Sequence, residues 1–455
     1  MSYPKVDFLY LDEPSMLKAG VCDMPACMDI VEECYHLLGQ GDYVMGGKNH
    51  DSHGVKIVFP KTSPFPNMPI EGPDRRFMAM VAYVGGRFNV AGEKWYGSNI
   101  ANKAKGLPRS ILMVMLNDPD TGAPLALMSG NQISGMRTGA VPGVGARYLA
   151  RKDAKVCGLI GSGPINRSCF MSLVEACKEL DEVKIFDVFP ENAEKLAKWI
   201  LETYPQIKKA YAVATCEECV RGSDVVNSAT SGKSLPYING EWIKKGAYVS
   251  LPAGIVMDQE FVLRDDILRV VDNWGMYEAW SEELTYPWHD SIELIGAYYL
   301  DWIKEGTMKR DQLCNLGEIV NGHRPGRTSD DQIVIFGQGG LPIYDVAWGK
   351  QCYDKAAVTK TVMTTNERRI RLADAVSAFL CRQYAYSWNL DTISDGTDPV
   401  EYFLATGKKG YCMHFASAGT LMLRELGVPA RYAAGYVVKE SAFQKNADGT
   451  YTATV

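Results

Sequence analysis

The clearest hydrophobic signal in the chain is a short apolar run, Val156 to Ile160, bounded by glycine. A run of that length without helical period predicts a strand buried on both faces, as in a parallel sheet. Gly161-Ser162-Gly163 follows, and Pro164 stands at the first helical position, where its missing N–H is not needed. Cys169, Leu173, Cys177 and Leu180 recur at helical spacing, and Val183 to Phe186 reads as a second strand ending on Asp187. Upstream, Val6 to Asp12 alternates as a strand, and Glu13 to Ala19 and Ala26 to Gly39 read as helices, the second stopped by glycine. The stretch from Asp51 to Pro73 is rich in Pro, Asn and Gly, with one strand expected over Gly54 to Phe59. Strands are expected over Phe77 to Tyr83 and Phe88 to Trp95, and again over Ser110 to Leu116 and Leu125 to Met128. The last two flank Asn117-Asp-Pro-Asp-Thr-Gly122, a strong hairpin turn. Arg137 is read as opening a helix, Thr138 to Ala150, that feeds the Val156 strand. The fold class is therefore α/β, with an α+β unit over residues 1–130 ahead of a nucleotide-binding unit.

Strand, glycine turn, helix, strand and terminal acid are the parts of a dinucleotide site. Glycines let the backbone approach a diphosphate, a helix N-terminus offers free N–H groups, and a carboxylate accepts from ribose hydroxyls. Gly161, Ser162, Gly163, Pro164, Ile165 and Asn166 are the candidate turn residues, Asn166 holding the place of a third glycine, and Asp187 is the candidate ribose ligand. Asp187 is followed by Val188 and Phe189 with no arginine nearby, so it should repel a 2′-phosphate and favour NAD over NADP. A tight strand-to-helix turn that binds nothing is the competing reading.

The chain has 455 residues, of which 46% are hydrophobic, enough for two or three domains with sizeable cores. A net charge of −6 and no basic stripe argue against nucleic acid. No apolar leader or membrane-length run is visible, so a cytoplasmic protein without membrane partners is expected. Its 12 cysteines are expected to be reduced thiols. Cys216-Glu-Glu-Cys219 has metal spacing but no second pair and no neighbouring histidine, so no metal is expected there.

Two cations stand out: Lys94 in Gly92-Glu-Lys-Trp-Tyr-Gly97, and Arg137 in Ser134-Gly-Met-Arg-Thr-Gly-Ala140. An arginine fork suits a carboxylate and a lysine adds a point charge; a solvated surface charge is the competing reading for each. Together with Asn102, Gly106-Leu-Pro, Asp120-Thr-Gly122, Thr138, Gly161-x-Gly163, Leu316-Gly-Glu-Ile-Val, Gly326-Arg-Thr, Ile335-Phe and Asp345-Val-Ala347, they form an ordered array over about residues 5–355. That array resembles the ornithine cyclodeaminase/mu-crystallin family. Gly47-Lys-Asn-His50 and Gly72-Pro-Asp-Arg-Arg76 look like the branch of that family often labelled as a tyramine oxidase component.

The resemblance implies a Rossmann nucleotide-binding domain (137–320) inserted in an α+β substrate and dimerisation domain (1–136 and 321–356). It implies a homodimer with tightly bound NAD, and Lys94 and Arg137 on the carboxylate of an amino acid or imine. Lys56 is the candidate for a third cation, with Arg137, Thr138, Ala229 and Thr230 on the cofactor side. Where the family places an aspartate acting on a side-chain amine, this chain has Ile255, with Asp258 three residues on and Gln259 at the lysine position. Isoleucine can neither move a proton nor hold an ammonium. Lys94 is the candidate general acid or base, its pKa lowered by burial beside Arg137.

Beyond residue 356 the chain changes character. Ile370 to Tyr384 is an amphipathic helix with Leu372, Val376, Phe379 and Leu380 on its apolar side. Gly410-Tyr-Cys412 opening a helix and Gly427-Val-Pro-Ala-Arg431, continuing to Tyr436, look like the core of the transglutaminase-like superfamily. The resemblance places Cys412 at the nucleophile position. No histidine follows His414 in this sequence, so residues 357–455 are expected to be an incomplete, catalytically silent and poorly folded α+β segment.

The function expected is hydride transfer at the α-carbon of a small amino acid or cyclic imine with NAD. True cyclodeamination with ammonia release and a non-catalytic nucleotide-holding protein are the alternatives.

Overall fold

Asp12 and Asp23 set the first helices: each carboxylate accepts a backbone N–H three residues on, from Ser15 at 2.9 Å and from Ala26 at 3.1 Å. The helices Glu13–Lys18 and Met24–Gln40 follow, and Gly41 ends the second with φ 77°, a turn open to glycine. In this computed structural model residues 6–231, 234–359, 365–433, 443–445 and 451–453 are described. They fall into two units, Met1–Val362 and Met363–Val455.

The first unit contains two large sheets and one two-stranded sheet. Strands β1 (Leu9–Leu11), β2 (Tyr43–Met45), β3 (Val55–Val58), β4 (Arg76–Val84), β5 (Val90–Ser98), β6 (Ser110–Asn117) and β7 (Pro124–Ser129) form a mixed sheet. Its order is β1-β7-β6-β5-β4-β2, with β3 also on β4. Side chains alternate across it. Met78, Met80, Ala82 and Val84 are buried, whereas Phe77 and Val81 on the other face are exposed. The helix Pro342–Thr359 covers the buried face of β4 and β5 and packs on the Met24–Gln40 helix.

The remaining strands of the unit, all but β12 and β14 in the second large sheet, are β8 (Val156–Ile160), β9 (Glu182–Phe186), β10 (Lys209–Ala212), β11 (Val225–Ser228), β12 (Tyr237–Ile238), β13 (Tyr248–Leu251), β14 (Val256–Met257), β15 (Ile267–Val271), β16 (Leu313–Asn315) and β17 (Ile333–Gly337). Apart from β12 and β14, which pair with one another, these run parallel in the order β10-β9-β8-β11-β13-β17-β15-β16. The chain leaves β8 for β9 and β10 on one side and returns to β11 on the other. The carboxyl ends of β8 and β11 are thus a topological switch point, where open parallel sheets bind ligands.

Two boundaries differ from the sequence reading. The parallel sheet does not end at residue 320: β17 lies between β13 and β15, and the chain returns to the mixed sheet only with Pro342–Thr359. An apolar run such as Ile333 to Phe336 can add to either sheet, and only long-range register decides which. Nor does Arg137 open its helix, which runs Asn131–Leu149 and places Arg137 in the second turn. Ser134-Gly135 reads locally as a break. The glycines of this helix instead permit close packing: a Cβ at Gly139 or Gly143 would lie 2.4 or 2.5 Å from the Cβ of Ser168 or Ser172 on the next helix.

In the second unit the helices Thr365–Gln383 and Cys412–Glu425 pack together. A small core of Val376, Leu380, Phe403 and Ala418 forms there among the described residues, while Ile370, Trp388, Met413 and Leu426 are exposed. Phe379, expected on the apolar side, is exposed. Residues 434–436 of the expected motif lie outside the described residues.

Candidate active site

At the switch point, Gly161 has φ 90° and its N–H donates 2.7 Å to Phe186 O. A Cβ there would stand 2.6 Å from Ala229 O and 3.0 Å from the Thr230 methyl, so the β8 and β11 ends approach as closely as only glycine allows. Gly163, Pro164 and Ile165 are exposed, and a Cβ on Gly163 would meet nothing. The turn thus leaves the N-terminus of the helix Pro164–Ala176 open to solvent, where backbone N–H groups can meet an anion. Asp187 is braced toward it: Oδ2 accepts from Ser162 N at 2.8 Å and Ser162 Oγ at 2.5 Å, and Oδ1 from Phe189 N at 2.9 Å. Asn166 is fully buried and faces inward. Its amide donates to Ile160 O at 2.9 Å and Gly161 O at 2.5 Å, and its Oδ1 accepts from Asn227 at 2.8 Å. It pins the turn from below, the work of a buried amide rather than of a group open to a ligand.

The two cations meet on one protein carboxylate. Lys94 leaves β5 on the buried face, opposite Met80 and Val114. Its Nζ donates 2.9 Å to Asp345 Oδ2 and 3.4 Å to Ser134 Oγ. Arg137 Nε donates 3.1 Å to the other oxygen of Asp345. Lys94 is 2% exposed, Arg137 5% and Asp345 0%, so neither cation is a solvated surface charge. Two positive charges against one negative leave the cluster cationic. Burial, then Arg137, lowers the Lys94 pKa to about 8, against the opposing pull of Asp345. Asp345 stands in an otherwise apolar stretch, Ile343-Tyr-Asp-Val-Ala347, which is the sequence signal that could have marked it.

His53 completes the cluster, and no local pattern announced it. Its Nδ1 lies 2.7 Å from Gly340 O, and its ring centroid lies 5.2 Å from that of Trp280. Because a carbonyl only accepts, Nδ1 carries the proton and Nε2 is the free acceptor. Burial, with Lys94 next, depresses its pKa to about 3, so the ring is neutral. Arg137 also rests on this loop: a Cβ on Gly340 would come 2.7 Å from Arg137 Nη1. Asp272, buried at the end of β15, holds the loop by accepting from Gly339 N at 2.8 Å and Gly340 N at 2.9 Å. Burial raises its carboxyl pKa to about 6.

Lys56 lies on the same sheet face, paired with Met78, but is solvent-exposed and makes no contact with Asp345. Burial of its stem, then Arg76, lowers its pKa. Thr138 is half-buried beside Arg137, and Ala229 and Thr230 border the glycine turn. Ile255 is fully buried and its N–H donates 3.1 Å to Glu293 O. Asp258 is committed elsewhere, accepting from Tyr237 Oη at 2.8 and 2.9 Å. In the second unit Cys412 is exposed at the start of its helix, and the His414 ring packs on Phe403 and Tyr411. Among the described residues no group of His, Cys, Asp or Glu could hold a metal, and no helix is long and apolar enough to cross a membrane.

Comparison with known proteins places this geometry. The chain is 29% identical over 293 residues to N-((2S)-2-amino-2-carboxyethyl)-L-glutamate dehydrogenase of Staphylococcus aureus, covering 64% of this chain and 82% of that protein. It is 30% identical over 343 residues to alanine dehydrogenase of Archaeoglobus fulgidus, covering 74% and 92%. The fold matches Δ1-pyrroline-2-carboxylate reductase of Thermococcus litoralis, solved with NADH and L-proline. The TM-score is 0.64 at 26% identity, with 79% of this chain and all of that one covered. The cofactor expected from the sequence agrees with the one in that structure. Residues 356–453 match the transglutaminase-like superfamily. Residues 21–360, carrying the glycine turn and the Lys94–Asp345–Arg137 cluster, match the ornithine cyclodeaminase/mu-crystallin family, and the chain belongs to it.

Proposed function

We propose that this chain is an NAD-dependent oxidoreductase acting at the α-carbon of an amino acid or the corresponding imine. The observation that carries the reading is the buried Lys94–Asp345–Arg137 cluster beside the neutral His53. When bound, the nicotinamide supplies or accepts the hydride. Ser162 to Ile165 would hold the diphosphate, Asp187 a ribose, and Thr138, Ala229 and Thr230 the nicotinamide side. With a carboxylate at the ribose, NAD is favoured over NADP.

The rest of the chemistry belongs to the chain's own groups. Asp345 fixes Arg137 through Nε, which leaves the terminal amino groups for the substrate α-carboxylate. Lys94, with a pKa of about 8, gives a proton to the imine nitrogen as the α-carbon is reduced, and in the other direction the neutral amine takes it back. His53 Nε2 can accept from the same nitrogen.

True cyclodeamination needs a group acting on a side-chain amine, and the buried Ile255 supplies none. Purified protein mixed with NADH, 2-oxo acids and ammonium should consume NADH, read by absorbance, and amino acids with NAD should produce it. Ammonia release without net change in NADH would favour cyclodeamination, and retained cofactor without turnover a binding protein.

The substrate is proposed to be met by a homodimer. Tyr10, Val44, Phe77, Val81, Ile111 and Met113 are exposed on the outer face of the mixed sheet, an apolar surface that a second copy would cover. For the C-terminal unit we propose that His414, two residues from Cys412 and packed against Phe403 and Tyr411, does not serve that exposed thiol as a base. Iodoacetamide labelling of Cys412 without peptide turnover is the expected result.

A further inference from the structure

The cationic cluster does not end at Lys94. From there β5 presents Tyr96 and then Ser98 on the same face, and the register sets Lys56 and Arg76 alongside: Lys56 opposite Met78, Met78 opposite Tyr96, and Arg76 opposite Ser98. Lys94 Nζ lies 5.6 Å from the Tyr96 ring centroid and Arg76 Cζ lies 5.8 Å from it, so one ring is shared by an inner and an outer station. Asp74 serves the outer one. It pairs with Arg76, lies 3.2 Å from Arg109 Nη1, and accepts from Ser98 Oγ at 2.6 Å. Arg76 nevertheless keeps a buried Nε without a partner. The outer cations also repel one another: the pKa values of Lys56 and Arg109 are lowered first by burial and then by the charge of Arg76.

Charge bookkeeping over both stations decides what fits. Lys56, Arg76, Lys94, Arg109 and Arg137 stand against Asp74, Asp345 and Glu283, the last of which faces Lys56. His53 is neutral. With Asp272 behind the Gly339–Gly340 loop counted as well, the surplus is one positive charge, and it lies in the outer station, where Lys56, Arg76 and Arg109 stand against Asp74 and Glu283. A substrate whose one carboxylate sits at the inner station leaves the outer one cationic, with its orphaned N–H unmet.

We propose that the substrate carries a second carboxylate: a dicarboxylic α-amino acid or its imine, with the distal carboxylate on Arg76. This rests on the α-amino or imino acid reading above. Nothing in it requires a particular chain length, so the test runs over a series. Reduction of oxaloacetate, 2-oxoglutarate and 2-oxoadipate with ammonium and NADH is compared with 2-oxobutyrate, 2-oxopentanoate and 2-oxohexanoate. A charge-assisted hydrogen bond to the distal group predicts a kcat/KM preference for the best diacid of roughly tenfold or more. In Arg76→Met that preference should collapse, and Arg76→Lys should restore part of it.

A second measurement needs no turnover. Glutarate and adipate should raise the melting temperature of the NAD-loaded protein more than butyrate does, and Arg76→Met should abolish the difference. Equal use of mono- and dicarboxylic acids, or a melting temperature indifferent to the second carboxylate, overturns the proposal while leaving α-carbon hydride transfer intact. Selective stabilisation by diacids without NADH consumption from any 2-oxo acid would instead sink the hydride-transfer reading and keep the outer station.

Discussion

Replacing Asp345 with asparagine removes one negative charge from between two buried cations and changes little in shape. The carboxylate is fully buried, 2.9 Å from Lys94 Nζ and 3.1 Å from Arg137 Nε. Opposite charges at such range interact by about 4 kcal/mol when the surroundings behave as a medium of dielectric constant near 20. Allowing for the amide dipole that remains, about 2.7 kcal/mol of that should be lost to the charged form of Lys94, which displaces its titration by about two pH units. The wild-type ammonium titrates at about 8 and is mostly protonated at neutral pH. In the variant it would titrate at about 6 and be mostly neutral.

Reduction of an imine uses the protonated form and oxidation of the amine the neutral form, so the two directions respond oppositely. At pH 7 the reductive rate should fall about tenfold through protonation alone, while the oxidative rate at low pH should gain. The assay is a pH–rate profile in both directions, by NADH absorbance, on protein whose circular dichroism matches wild type. Breaking a buried ion pair typically costs about 3–5 kcal/mol, so a lower melting temperature is expected too, moderated because Lys94 can shed its proton. A folded variant that binds NADH and keeps the basic limb of its reductive profile near pH 8 would show that Lys94 is not the proton carrier.

Three further outcomes follow from the same geometry. Gly161→Ala forces φ 90° on a side chain whose Cβ meets Ala229 O at 2.6 Å, so it should cost about 1–3 kcal/mol and weaken NAD binding by calorimetry. Asp272 is held protonated up to about pH 6 in the folded protein, so its contribution to stability is present below the ordinary carboxyl range near 3.8 and is lost as pH rises through 6. Urea unfolding of wild type should show that decline, and Asp272→Asn should flatten it; an unchanged slope would refute the assignment. Val81→Glu combined with Ile111→Lys puts charges on the exposed sheet face and should yield a monomer by light scattering if that face joins two copies.

The strand–glycine turn–helix–strand unit proposed to hold the dinucleotide is legible from residues 156–187 because its geometry is local. A buried strand, a turn that only glycine can make and an acid at the end of the next strand are fixed by neighbours in sequence, and the observed Val156–Ile160, Gly161 and Asp187 follow that plan. The hairpin at Asn117 to Gly122 and the caps at Asp12 and Asp23 are local in the same sense. Sequence also marks Lys94 and Arg137 as unusual cations, but not what they face. Asp345 lies 251 residues from Lys94 and 208 from Arg137, and a stretch that distant carries no record of its partner until two sheets and a returning helix have packed. His53 and the Arg76–Tyr96–Lys94 row are further from reach, since a flat-patterned loop and strand register place them. Hydrogen-bonded turns and periodic faces are written along the chain, whereas the charge balance of a buried site is a sum over groups that only tertiary packing brings within a few ångströms of one another.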